Sequence, residues 1–350
     1  MRPPLLALLL LVAPAGASEA PEISTNLRAA GRHLSLLALD GREDTAFRSD
    51  RPARDGDDVR VHLASGTEVR RVEVRTGEAD GRQALLHGTL EFSADGENFQ
   101  VVGVFSNGLA AAAVVGPLRE VRVRVTGGSE APLVLREIQL DTAVPLPPPR
   151  LRTRVVTHTR TAPKAERFAR EAARLVEEWH PKLWTLFDHP DGPSPHPVVN
   201  LYFQNMPGVA HASGDRIHIA EDWVVNKSPQ DYGMVVHELF HLVQNYRGGG
   251  EGWITEGLAD YVRHAWYEPK VRLGPPGDKA SYKDAYKTTA RFLIWCEEKW
   301  PGLAASLNQA MRRRSAPVLE VFTATTGKDV DALWADYVAD RAWTFPRPPP

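Results

Sequence analysis

The chain has 350 residues, 43% hydrophobic and 25% charged, with 42 Lys and Arg against 44 Asp and Glu. That much apolar surface excludes a disordered chain, and a net charge of −2 excludes the strongly basic domain of a nucleic-acid binder. A single cysteine, Cys296, permits neither an internal disulfide nor a thiolate cluster, so a metal site has to be built from His, Asp and Glu.

In chain order, Arg2, the apolar run Leu5 to Ala13 and the small residues Ala15-Gly16-Ala17 have the three-part grammar of a secretory signal. Residues 1–17 are therefore expected to be removed, and the mature protein to be secreted, extracellular or periplasmic. The run is too short to span a membrane, which takes roughly 20 residues, and no transmembrane segment is expected in the mature chain. The lack of disulfides in an exported chain fits a bacterial-type route.

Residues 22–142 read as an all-β antiparallel sandwich. Val59 to Leu63, Val69 to Val74 and Val121 to Val125 alternate apolar with polar, separated by Ser65-Gly66, Gly77, Asp80-Gly81, Asp95-Gly96 and Gly127-Gly128. Residues 143–150, Ala-Val-Pro-Leu-Pro-Pro-Pro-Arg, read as a semi-rigid linker.

Residues 151–343 then form a second domain of the α+β class, mostly helical after a small sheet. Strands are predicted at Val155–Thr157, Val198–Phe203 and 215–220. Ala165 to Phe187 carries helical spacing interrupted by Pro181. Ser228-Pro229-Gln230-Asp231 reads as a helix start with Ser228 as the cap, and that helix should run to about Arg247, before Gly248-Gly249-Gly250. Further helices are expected at about Ile254–Tyr267, Tyr282–Lys299, Leu303–Arg313 and Val330–Trp343. Trp295, Trp300 and Trp334 are expected in the core and Cys296 as a buried small hydrophobe. His211 and His218 read as strand surface residues, Arg312-Arg313-Arg314 as a solvated helix end, and residues 344–350 as a disordered tail.

The chemistry lies in His237-Glu238-Leu239-Phe240-His241. Residues four apart share a helix face, so the two imidazoles can grip one ion, and imidazole is a natural zinc ligand. Glu238 is placed to act as a general base toward a water activated by that Zn2+. A third ligand is needed. Glu256, separated from His241 by 14 intervening residues and in the first turn of the next helix, is the favoured choice, with Gly257 allowing the two helix backbones to approach. Asp260 would then hydrogen-bond a ligand histidine from behind. The reverse assignment, Asp260 as ligand and Glu256 as support, stays open. Tyr286 is the candidate oxyanion donor, because a phenol keeps its proton at neutral pH. Ala212 to Ala220 is a candidate edge strand for substrate pairing.

Several stretches resemble the basic secretory protein family of zinc metallopeptidases. They are His237 to Gln244, Glu256 to Arg263, Tyr286 to Leu293 and Val330 to Tyr337, within a likeness covering about Pro163 to Asp340. The resemblance implies a zincin-like fold and a metallopeptidase. The Glu256-Gly257-Leu258-Ala259 stretch also resembles the third-ligand motif of gluzincin aminopeptidases, which favours Glu256. Phe240 and Lys287 depart from the pattern expected of plant members, at threonine and acidic positions respectively, so substrate preference does not transfer. Thr89 to Phe99 and Leu135 to Leu140 are similar to discoidin-like (coagulation-factor C-type, galactose-binding-like, jelly-roll) sandwiches, which implies a carbohydrate or cell-surface ligand.

The expected function is hydrolysis of a peptide or protein substrate, with no nucleic-acid partner. The alternative is a non-catalytic surface-binding protein whose metal is structural or vestigial.

Overall fold

The computed structural model describes residues 19–30, 33–187, 197–246, 251–313, 317–340 and 342–345. The predicted signal segment, Gly248-Gly249-Gly250, Arg314 and Pro346 to Pro350 lie outside these. The chain forms two compact units that divide between Leu151 and Arg152.

Period-two patterning in the first unit produces ten strands. They are β1 (Glu22–Thr25), β2 (Phe47–Pro52), β3 (Asp58–His62), β4 (Val69–Thr76), β5 (Gly88–Ser93), β6 (Gln100–Val104), β7 (Leu109–Ala113), β8 (Glu120–Val125), β9 (Pro132–Thr142) and β10 (Arg150–Leu151). They pair as a six-stranded sheet, β10-β1-β3-β8-β5-β6, and a four-stranded sheet, β2-β9-β4-β7. Pairing is antiparallel except between β1 and β10. Val59, Val61, Leu90, Val121 and Val123 from one sheet meet Phe47, Val72, Val74, Leu135 and Ile138 from the other in a single sandwich core. Each such side chain contributes about 1.5–3 kcal/mol by leaving water.

The alternate positions of β3, β5 and β8 hold paired charges. Arg122 binds Glu91 and lies 3.7 Å from the centre of the Phe99 ring. Arg60 reaches Asp58 at 3.1 Å and His62 meets Glu120 at 2.8 Å; off these strands, Arg51 of β2 meets Asp57 at 2.8 Å.

The second unit begins with β11 (Arg154–His158) and the helix α1 (Glu166–Leu186). Pro181 lies inside α1 without ending it. Then come β12 (Val198–Gln204), β13 (Ala210–Ser213) and β14 (Arg216–Ala220). The sheet order is β11-β12-β14-β13, the first three strands parallel and β13 antiparallel at one edge. The expected edge strand over Ala212 to Ala220 is therefore two strands of a hairpin, and only β13 is at the edge. Val199, Leu201, Phe203, Ile217 and Ile219 face the helices.

Helices α2 (Tyr232–Gln244), α3 (Gly252–Val262), α4 (Tyr286–Lys299), α5 (Leu303–Arg313), α6 (Glu320–Thr326) and α7 (Val330–Ala339) complete the unit. Asp231, not Ser228, caps α2, its carboxylate accepting the Met234 amide at 3.2 Å. The helix stops at Gln244, where Asn245 turns left-handed at φ 43°. The helix expected from Tyr282 is broken: a 3-10 turn over Tyr282–Asp284 precedes α4, with Ala285 at φ 62°, ψ −169° between them.

Gly257 faces Thr289 of α4, where an added Cβ would collide, so the close approach it permits is between α3 and α4 and not between α2 and α3. Trp295 and Cys296 are buried, while Trp300 and Trp334 are half-buried against the core. Arg312 is not a solvated helix end. Its guanidinium donates to the carbonyl oxygens of Val243 and Gln244 and lies 5.1 Å from the Trp184 ring centre. No helix among the described residues is long and apolar enough to cross a membrane.

Candidate metal centre

Helices α2 and α3 pack together and bring three side chains to one point. His237 Nε2 lies 3.2 Å from His241 Nε2 and 3.2 Å from Glu256 Oε2, and His241 Nε2 lies 3.6 Å from the same oxygen. Among the described residues, these three form the only group of His, Cys, Asp and Glu arranged to hold a metal ion. His237 and His241 sit one turn apart on α2, and Glu256 comes from the opening turns of α3.

Asp260, one turn along α3 from Glu256, stands behind His237. Its Oδ1 lies 2.7 Å from His237 Nδ1. A carboxylate only accepts, so Nδ1 carries a proton, and the ring is turned so that Nε2 faces Glu256 and His241. Gln244 does the corresponding work at His241: its Oε1 lies 2.7 Å from His241 Nδ1, and its Nε2 donates 2.9 Å to the Thr255 carbonyl. Two imidazole Nε2 atoms and a carboxylate oxygen thus converge, and such a triangle demands positive charge, from a proton or a metal ion.

The protonation behaviour shows the demand. Burial opposes charge on His237, yet hydrogen bonds to Asp260 and Glu256 outweigh it and push the imidazole up to about 9. Burial likewise opposes charge on Glu256, but both imidazoles hold its carboxyl down to about 2. Glu238, adjacent to His237 and 7% exposed, is pushed above the usual carboxylate range by burial.

These groups open into a cleft of about 940 Å³ whose walls include His211 on β13, Trp223, Met234, Arg263, Tyr286 and Lys287. Tyr286 is 55% exposed, and its ring lies nearly parallel to His237 with centroids 6.1 Å apart. It is held there by unusual backbone: Ala285 and Tyr286 both have positive φ, 62° and 46°, a costly conformation for residues with side chains. The charge of Glu256 raises the phenol's affinity for its proton, and burial adds to that. Of the two histidines expected on strand surfaces, His211 is exposed and lines the cleft, while His218 is half-buried, with ring centroids 4.8 Å apart.

Sequence reasoning assigned no role to Gln244 or Arg263. The signal for Gln244 was its spacing, three residues after His241 on the same helix. Arg263 donates to Asp231 at 2.7 Å and to Glu268 at 2.9 Å, and Trp223 Nε1 donates to Asp231 at 3.0 Å. Only chain folding joins that set.

Residues 149–337, more than half of the chain, match the model of a family described as peptidase of plants and bacteria. The chain belongs to this family of peptidases. The matched region contains the whole of the α2–α3 site. The peptidase of plants and bacteria here also carries the β-sandwich, which is similar to solved carbohydrate-binding modules. One is CBM32-1 from a family 31 glycoside hydrolase of Clostridium perfringens, at 14% identity over 36% of this chain and 96% of that one, TM-score 0.31. Another is chitosan-binding module 2 from a chitosanase/glucanase of Paenibacillus sp. IK-5, at 17% identity over 36% and 97%, TM-score 0.30. No curated protein matches the chain.

Proposed function

We propose that this peptidase is a zinc enzyme whose ion is held by His237, His241 and Glu256, with Glu238 as general base. The observation that supports this reading most is the spacing of the three donor atoms, 3.2, 3.2 and 3.6 Å. Corners of a tetrahedron centred on zinc, at the roughly 2.0–2.1 Å of its bonds to nitrogen and oxygen, lie about 3.3 Å apart. The donor chemistry also suits the ion, since two imidazoles and one carboxylate leave room for a solvent ligand. Asp260 behind His237 favours Glu256 over Asp260 as the third ligand.

When bound, the ion would supply Lewis acidity toward water and a substrate carbonyl. Glu238, made more basic by burial, takes a proton from the attacking water and returns it to the leaving amine. Tyr286 keeps its phenolic proton and donates a hydrogen bond to the oxygen that gains charge. For the sandwich we propose a carbohydrate or cell-surface ligand, supported by a cavity of about 760 Å³ between loops that include Glu68, Asp95 and Arg119.

The deciding experiment is Glu238→Gln. Peptide hydrolysis should fall by about 100- to 10,000-fold while zinc content stays near one ion per chain. Retained activity would remove Glu238 from the mechanism. Zinc bound without turnover by the unaltered chain would point instead to a non-catalytic surface-binding protein.

A further inference from the structure

Gln244 ends α2 and is 1% exposed. Its amide makes bonds of opposite polarity to His241 and Thr255. The NH2 group is committed to the Thr255 carbonyl, which only accepts, so the amide oxygen is turned to His241 Nδ1. That contact puts the imidazole proton on Nδ1 and leaves Nε2 as the atom facing His237 and Glu256. Thr255 immediately precedes Glu256. One buried amide therefore ties the second histidine of the site to the backbone that carries the carboxylate.

The helix end that carries Gln244 is itself held. Arg312 of α5 donates to the carbonyl oxygens of Val243 and Gln244, which pins the last turn of α2. His237 and His241 are thus supported differently, the first by the carboxylate of Asp260 and the second by a neutral amide.

We propose that Gln244 is a positioning residue of the metal centre, selecting Nε2 of His241 as the donor atom. The inference rests on the zinc reading above and goes beyond it, because it concerns a residue that touches neither ion nor substrate. A carboxamide suits this task, since its NH2 on the Thr255 carbonyl turns its oxygen to the ring. Glutamate keeps the acceptor and loses the donor; methionine, of similar length, loses both.

The test is zinc affinity by chelator competition on the full chain, for the unaltered protein, Gln244→Met and Gln244→Glu, with a thermal melt of each metal-free protein. Gln244→Met should lose affinity by about 10- to 100-fold, the usual cost of removing an outer support of a ligand. Gln244→Glu should return to within roughly threefold of the unaltered chain, because the contact to Nδ1 is restored. A packing role alone would lower the metal-free melt and leave zinc affinity unchanged in both variants, which would overturn the proposal. So would a Gln244→Glu protein that binds zinc as weakly as Gln244→Met.

Should Gln244→Met not fold, ring-nitrogen NMR of the metal-free, unaltered chain decides. A His241 proton on Nδ1 is expected, and one on Nε2 overturns the assignment. If the unaltered chain takes up no zinc, the metal centre falls and the role of Gln244 with it. Equal affinity in all three proteins removes only Gln244.

Discussion

Both units bury charge, and they do so in opposite ways. In the sandwich each of several buried carboxylates meets a cation the chain provides: Glu91 has Arg122, Asp57 has Arg51, and Asp58 has Arg60. At the α2–α3 junction, Glu256 and Asp260 meet imidazoles instead, and the two Nε2 atoms and a Glu256 oxygen converge on one point. A buried carboxylate with its own guanidinium is electrostatically complete, and its effect is confined to stability. A carboxylate set among imidazoles is incomplete until a cation joins it. That difference, more than the presence of a histidine motif, separates a structural cluster from a candidate centre.

The comparison is broken most severely at the centre itself. Glu256→Ala should abolish zinc retention and peptide hydrolysis together, whereas Asp260→Ala should weaken zinc by about 10- to 100-fold and leave measurable binding. Metal analysis of both variants after dialysis checks this, and the opposite order would make Asp260 the ligand.

In the sandwich, Arg122→Ala leaves Glu91 buried without its partner and should cost that unit about 3–5 kcal/mol, read by denaturant unfolding, with hydrolysis unchanged. The next effect is on pH. His264 is fully buried, neither ring nitrogen has a hydrogen-bond partner, and burial pushes its imidazole down to about 4. Below pH 6.5 the unfolded chain takes a proton that the folded chain refuses, so stability falls as pH drops and the loss is complete near pH 4. The helical unit should lose about 3 kcal/mol over that window, and the loss should be absent in His264→Gln. A smaller effect is expected at the start of α2. Asp231→Ala removes the cap and should cost about 1–2 kcal/mol in thermal stability.

Much of the architecture was legible because periodicity is local. The alternation in Val121 to Val125 and the run Leu303 to Arg313 predicted their elements without reference to the rest of the chain. Boundaries were less so. The sequence pattern pointed to Ser228 as the cap, and the place went to Asp231, which also receives Trp223 and Arg263. The break at Ala285 left no sign, since alanine seldom takes that backbone conformation and nothing nearby signals that the fold will impose it. The short helix α6 went unpredicted for want of length. Arg312 looked like solvent-facing charge, because its acceptors are carbonyl oxygens nearly seventy positions back in the chain.

By itself, the order of residues determined that this chain would build a sandwich followed by a helical domain, and that His237 and His241 would share one helix face. Those outcomes follow from side-chain period and from helix geometry, which act over a few residues. Only the packing of α2 against α3 decided that Glu256 meets the nitrogens from the front while Asp260 holds His237 from behind, and that Gln244 joins His241 to Thr255. Glu256 and Asp260 lie one turn apart on one face, and their roles differ only by where the opposing helix places its imidazoles. That placement depends on contacts such as Gln244 on the Thr255 carbonyl and Arg312 against the end of α2, which link separate parts of the chain.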